Sequence, residues 1–313
     1  MSTARLLVHL DGTDHSIELI GGKAASLSRL RSLGAPVPPA LALTTSAYRL
    51  YARRIGIPER SSRVALAELP DIRAAILDAP MPPEIASAIS EATGALSSKD
   101  SSLLAVRSSA TTEDSPEFSF AGLHDTTLSV AANPSRLESA VRTCWASLWS
   151  ERSVDYRRRG GAALDSAAMA VVLQQLVRSD VSFVAFSANP VDHCARQVVI
   201  SSSWGLGETI VAGLVVPDHI LVGNDGAIET YQIGSKLMMI IAEPDGGVRQ
   251  VPVPRQLASR QSLTRDQATS IGAMVRDLER RFGTPLDIEG GIAGGATFLF
   301  QARPITTCQH MPS

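Results

Sequence analysis

Apolar periodicity is the feature that most constrains this chain. It switches between the ~3.6-residue period of a helix and the two-residue period of a strand. It does so without the regular strand–helix–strand alternation that builds a parallel sheet, so the sequence predicts an α+β fold. Ala24, Leu27 and Leu30 recur at helical spacing after Gly21-Gly22-Lys23, and Gly34 supplies a stop. Pro36-Val37-Pro38-Pro39 must be extended. Helical patterns follow at 46–55, 72–77 and 84–96. Asn133-Pro134 is a helix start, with Leu137, Val141, Trp145 and Leu148 marking one face. Thr264-Arg265-Asp266-Gln267 reads as a capping box for a helix that Gly283 ends. Strands are expected at 103–106, 126–130, 168–177, 183–187, 198–200, 285–289 and 297–303, with a long polar loop over 107–122.

The 313 residues are 44% hydrophobic, which is enough for two lobes, since a single core stops growing near ~250–300 residues. A net charge of -2 and a pI near 6.3 argue against a generally basic nucleic-acid partner. No apolar run approaches the ~20 residues that span a bilayer, and the first ten residues carry too short an apolar core for a secretory signal. Cys144, Cys194 and Cys308 lie far apart, which fits neither a disulfide framework nor a zinc site. The expectation is a cytoplasmic protein without nucleic-acid or membrane partners. Among 29 basic residues only Lys23, Lys99 and Lys236 are lysines, which draws attention to Lys23 and Lys236.

Four stretches carry possible chemistry. Gly21-Gly22-Lys23 at a helix start favours phosphate through free N–H groups and an ammonium, although an ordinary glycine turn accounts for the same residues. Arg107 reads as a strand-end guanidinium before a Ser-, Thr- and Gly-rich loop in which Gly122 allows backbone N–H groups to approach a polyphosphate; a surface loop is the alternative. In Leu286-Asp287-Ile288-Glu289 the carboxylates share one face, and in Gln301-Ala302-Arg303 the polar residues do. If these strands pair around Gly294-Gly295, two carboxylates and an amide oxygen suit Mg²⁺ and the arginine suits phosphate; an exposed hairpin face is the alternative. Trp204-Gly205-Leu206-Gly207-Glu208 is either a close backbone approach or a turn. Arg157-Arg158-Arg159 reads as a solvated helix end, and His124 as an acid, a phosphate donor or a structural histidine.

Taken in order, these pieces resemble the N-terminal ATP-binding domain of the pyruvate phosphate dikinase, phosphoenolpyruvate synthase and rifampicin phosphotransferase family. The matching stretches also include Thr44-Thr45-Ser46-Ala47-Tyr48, Phe120-Ala121-Gly122-Leu123-His124-Asp125-Thr126 and Leu176-Val177-Arg178-Ser179-Asp180. The resemblance implies an ATP-grasp-like fold, two lobes with a nucleotide cleft between them. It implies an N-terminal lobe over 1–177 with the phosphate-binding lysine and glycine-rich loop, a C-terminal lobe over 178–308 with the metal- and phosphate-binding strands, and a tail over 309–313. Lys23 and Arg107 would contact ATP phosphates, and Gly122 and Thr126 would belong to the loop that covers them. Gln174 and Leu176 would lie at the adenine. Glu289 and Gln301 would coordinate Mg²⁺ and nucleotide, with Asp287 beside them and Arg303 on phosphate. Lys23, Arg107, Asp287 and Arg303 are the implied catalytic residues.

The family's usual reaction cleaves ATP to AMP and passes a phosphoryl group to a histidine on a mobile domain. The sequence stops nine residues after Pro304 and lacks the Ser/Cys-His-Ala signature of that domain. The expectation is therefore an ATP-binding, Mg²⁺-dependent phosphotransferase component with a separate phosphohistidine and substrate-domain partner. Two alternatives stand beside it: a self-sufficient kinase or ligase acting on a small molecule, and a non-catalytic ATP-binding protein. Gly290-Gly291, where many relatives have an aromatic residue, and Phe183, where relatives often have Gly, depart from the family pattern.

Overall fold

A computed structural model describes residues 5–57, 64–97, 102–111, 126–159, 168–189 and 197–305. The chain divides into two compact units. One comprises Met1–Ser32, Pro39–Leu176 and Asp245–Gly247; the other comprises Leu33–Pro38, Val177–Pro244 and Val248–Ser313. Among the described residues, no helix is long and apolar enough to cross a membrane.

The first unit contains β1 (Leu7–His9), α1 (Ile17–Ser32), β2 (Ala40–Leu43), α2 (Thr45–Arg54), α3 (Leu69–Asp78), α4 (Pro83–Leu96), β3 (Leu103–Ala110), β4 (Thr126–Ala131), α5 (Pro134–Ser147), α6 (Glu151–Arg159) and β5 (Met169–Gln175). Its sheet is five-stranded, in the order β1-β2-β5-β3-β4. Residues opposite one another across the ladders share a face. One face presents Leu41, Leu43, Leu104, Val106, Val171 and Leu173 to a core closed by α2 to α5. Trp145 lies at its centre, with its ring 5.0 Å from that of Tyr51 and 5.9 Å from that of Tyr48, and its indole N–H donates to Met169 O. The other face carries Ala40, Ala42, Ala105 and Ala170. Such small side chains let Ile20, Ala24, Leu27 and Leu30 of α1 lie close to the strands.

Two expectations change here. The strand at 103 does not end before Arg107; it runs on to Ala110, because Ser108 and Ser109 are buried and their backbone pairs with β5. Arg107 is therefore an interior strand residue. Nor is Arg157 a solvated helix end. It is 5% exposed and donates to Leu148 O, and burial lowers its guanidinium to about 10. The Asn133 side chain caps α5 as expected.

The second unit contains β6 (Val181–Phe186), β7 (Val198–Trp204), α7 (Glu208–Val211), β8 (Asp218–Val222), β9 (Ile228–Gln232), β10 (Met238–Ala242), β11 (Val248–Pro252), α8 (Arg255–Ala258), α9 (Arg265–Phe282), β12 (Leu286–Ala293) and β13 (Ala296–Pro304). Six strands form one sheet, β13-β12-β6-β7-β8-β9, while β10 and β11 form a separate hairpin. The helix α9 has the expected capping box at Thr264 and ends at left-handed Gly283. It covers the face that carries Ile200, Ile220, Val222 and Ile288. The strands over 218–252 were not anticipated.

One buried polar group pins this unit. Asp218 accepts from Lys236 Nζ and from the Gly234 N–H through Oδ1, and from the Ser262 N–H and hydroxyl through Oδ2. Lys236 and Asp218 are fully buried, so Lys236 is a structural cation. Removing one partner leaves a buried charge without compensation. Asp218→Ala should lower the stability of this unit by about 3–5 kcal/mol. Adding Lys236→Met should restore most of it. Denaturant midpoints read both effects, and equal losses in the single and double variants would contradict the pairing.

Candidate nucleotide-binding site

In the first unit the expected residues gather on the α1 side of the sheet. Arg107 stands opposite Thr126 on β4 and Val172 on β5, and Gln174 stands opposite Ala105 and Ala40. Arg107, Thr126 and Gln174 thus share the face that carries Ser109. Ser109 holds α1 in place: its hydroxyl donates to Ile20 O (2.8 Å) and accepts from the Ala24 N–H (3.1 Å). Gly21 lies between those bonds with φ 74 and ψ 169, so α1 is two helical pieces joined at a break and not one helix opening at Gly21. A Cβ at Gly21 would lie 2.1 Å from Ser109 O. Lys23 therefore follows a glycine break that is bonded to the strand carrying Arg107. Gln174 is buried, and its amide nitrogen has no hydrogen-bond partner. Leu176 is buried just beyond the strand. Gly122 and His124 lie outside the described residues.

In the second unit β12 and β13 pair as expected. Gly294 and Gly295, both at positive φ, make the two-residue turn between them. From the turn inward, Ala293 faces Ala296 and Gly290 faces Leu299. A bulge then leaves Phe300 as an extra residue, so Glu289 meets Gln301 and Asp287 meets Arg303. Without it, Glu289 would face Phe300, and Gln301 and Arg303 would turn to the opposite face. The bulge assembles the quartet.

Within that quartet Arg303 donates to one oxygen of Asp287, with Nε at 2.8 Å and Nη2 at 2.7 Å from Oδ2. The other oxygen, Oδ1, is buried with no partner. Burial raises the Asp287 carboxyl above its ordinary value; Arg303 opposes that shift and the neighbouring Glu289 charge adds to it. Among the described residues, no cluster of three or more His, Cys, Asp or Glu side chains is placed to hold a metal. The donors that are present, Glu289, Gln301 and the unpartnered Asp287 Oδ1, are all oxygens. That chemistry fits Mg²⁺, which is bound by few protein oxygens and completes its shell with phosphate and water.

A family model described as pyruvate phosphate dikinase, AMP/ATP-binding domain, matches residues 17–312. The chain belongs to this family. It is 34% identical over 311 residues to a probable phosphoenolpyruvate synthase of Methanocaldococcus jannaschii, covering 94% of this chain and 26% of the relative. It is 36% identical over 324 residues to a rifampicin phosphotransferase of a Streptomyces species, covering 99% of this chain and 37% of the relative. It is 37% identical over 305 residues to the prodigiosin synthesizing transferase PigC of Serratia marcescens, covering 96% and 33%. The chain spans between about a quarter and two-fifths of these relatives' lengths.

For a member of this ATP-binding-domain family, the buried Asp287 has a consequence for pH dependence. The native state keeps its proton to a higher pH than the unfolded chain. The associated stabilisation is complete below the ordinary value of 3.8 and is lost as pH rises through the folded value. Asp287→Asn cannot ionise, so its stability should fall less steeply than that of the wild type between 3.8 and neutrality. Chemical denaturation at both ends of that window measures the difference, and parallel curves would contradict it.

Proposed function

We propose that this chain binds Mg²⁺-ATP and serves as the nucleotide-cleaving component of a phosphotransferase. ATP would be converted to AMP, with the β-phosphoryl group passing to a histidine on a separate partner protein and the γ-phosphoryl group leaving to water as phosphate or to another acceptor. The observation that carries this reading is the grouping of the expected residues on one face in each unit. Arg107 and Thr126 share a face with Gln174 in the first, with Lys23 following the glycine break bonded to that face, and Asp287, Glu289, Gln301 and Arg303 stand together in the second.

The proposed roles follow from the chemistry of each group. Lys23 and Arg107 neutralise phosphate oxygens as charge develops on them. Thr126 offers a hydroxyl from the strand opposite Arg107. Gln174 offers an unpartnered amide donor to the edge of the base, beside apolar Leu176. Asp287 holds the Arg303 fork in one orientation, so that its remaining N–H groups meet phosphate at little entropic cost. Glu289 and Gln301 would hold the metal, with Asp287 Oδ1 beside them. When bound, Mg²⁺ supplies charge neutralisation across the phosphate chain. The distant acceptor is a small molecule whose class depends on the partner.

Nucleotide product analysis tests this reading. The protein with Mg²⁺-ATP should give AMP only when host extract or the histidine-bearing partner is added. ADP formed by the protein alone would replace the reading with a direct kinase or ligase. Absence of ATP binding would remove it. Lys23→Ala should lower turnover about 10²–10³-fold, equivalent to about 2.7–4 kcal/mol, without a matching loss of thermal stability; Arg303→Ala should lower turnover too, with an added loss of stability because it leaves buried Asp287 without its partner. Glu289→Ala should chiefly weaken metal-dependent ATP binding, read by calorimetry with and without Mg²⁺.

A further inference from the structure

Phe183 and Gly290-Gly291 have no part in the roles above and lie far apart in the sequence. In the sheet they meet: Phe183 on β6 stands directly opposite Gly290 on β12. Phe183 is 1% exposed, and both glycines are buried. Two consecutive glycines weaken a strand interior, because they have no side chain to pack and leave the backbone more freedom. Register is also weakly specified in glycine-rich strands. Yet β12 runs through both glycines, paired with β13 on one side and β6 on the other.

The space above Gly290 is already filled. A Cβ there would lie 2.9 Å from Phe183 Cε1, closer still to Phe183 Cζ, and 2.6 Å from Phe298 O. Carbon atoms in contact sit about 3.5–4.0 Å apart, so a side chain at 290 would collide with the ring and with a backbone carbonyl. Gly290 is not among the glycines at positive φ, so space and not backbone sign selects glycine here. The outer edge of the Phe183 ring takes the place of the side chain that position 290 lacks. An aromatic side chain laid across a neighbouring strand onto a glycine restores the packing that the glycine forfeits. Gly291 receives a ring on the opposite face, where a Cβ would lie 3.1 Å from Phe300 Cε2.

This contact sits at the step in the β12–β13 ladder. The register shifts between Glu289 and Gly290. On one side of the shift Gly290 stands against Leu299; on the other, Glu289 stands against Gln301 and Asp287 against Arg303. Phe183 shares the face of Gly290 and Ile288, whereas Glu289 and Asp287 belong to the other face. The ring therefore acts from the side opposite the carboxylates, at the residue next to the shift.

We propose that Phe183 is a positioning residue for the Asp287–Glu289–Gln301–Arg303 quartet. Its ring edge over Gly290 fixes where β12 steps against β13, and so keeps Gln301 level with Glu289 and Arg303 level with Asp287. What those four groups do toward Mg²⁺-ATP rests on the function proposed above; the hold of Phe183 on the bulge does not.

Phe183→Leu is the variant that tests this. Leucine keeps the inner part of the side chain and most of its apolar volume, but lacks the ring edge that covers Gly290. ATP affinity is measured with and without Mg²⁺, well below the thermal midpoints of both proteins. Groups that orient metal ligands from behind typically act on metal affinity by about 10–100-fold. The gain in ATP affinity that Mg²⁺ confers should therefore fall about tenfold or more in Phe183→Leu. Phe183→Met reaches Gly290 with a flexible chain and should fall in between; it carries the test if the leucine variant does not fold. An unchanged Mg²⁺ gain in the folded variant overturns the proposal. So does an equal loss of ATP affinity with and without Mg²⁺, which would make the ring a core residue and nothing more. If the wild type binds no ATP, the nucleotide reading fails, and amide hydrogen exchange decides the positioning. Faster exchange in the variant confined to 289–303 upholds it. Exchange equal to that of the wild type, or raised throughout the unit, overturns it.

Discussion

The extra residue at Phe300 is the constraint on which the second unit's polar face depends. A strand has only two faces, so one inserted residue decides which side every later residue takes. Here it brings Gln301 level with Glu289 and Arg303 level with Asp287. The remaining electrostatics follow from that placement. Arg303 reaches a single oxygen of Asp287, the second oxygen stays unpaired in a dry setting, and Glu289 adds a like charge nearby. The result is a compact set of oxygens with one oriented guanidinium.

The first unit reaches a comparable arrangement by packing a helix on strands. Alanines on the sheet surface permit close approach of α1, and a single serine hydroxyl fixes where the helix breaks. Because Ser109 and Arg107 are two residues apart on β3, the helix and the guanidinium are referenced to the same strand face. Thr126 and Gln174 join them on that face through ladder register.

Much of this was legible in the sequence. The alternation of Asp287 and Glu289, the turn glycines 294 and 295, the capping box at Thr264 and the start at Asn133 all follow from local rules, and the structure contains each of them. The bulge was not legible, since period-two reasoning yields a shared face within each strand but not the phase between strands. Arg107-Ser108-Ser109 read as loop because buried serines look polar; their backbone pairs with β5 and the Ser109 hydroxyl bonds α1, partners distant in sequence. Arg157 read as solvent-facing because no local signal reveals that α6 turns it inward. The strands over 218–252 were overlooked because their apolar alternation is broken by exposed residues.

The bond pair at Ser109 also bears on how far short motifs can be moved between proteins. Gly21-Gly22-Lys23 looks self-contained, but its geometry is written partly at position 109, more than eighty residues later. Grafting the glycine–lysine segment onto another helix would transfer its letters without the hydroxyl that sets its break. A recipient would need a strand at matching height carrying a small side chain that can both donate and accept. The portable unit is a helix start together with a strand, and a pattern search confined to contiguous residues would recognise half of it.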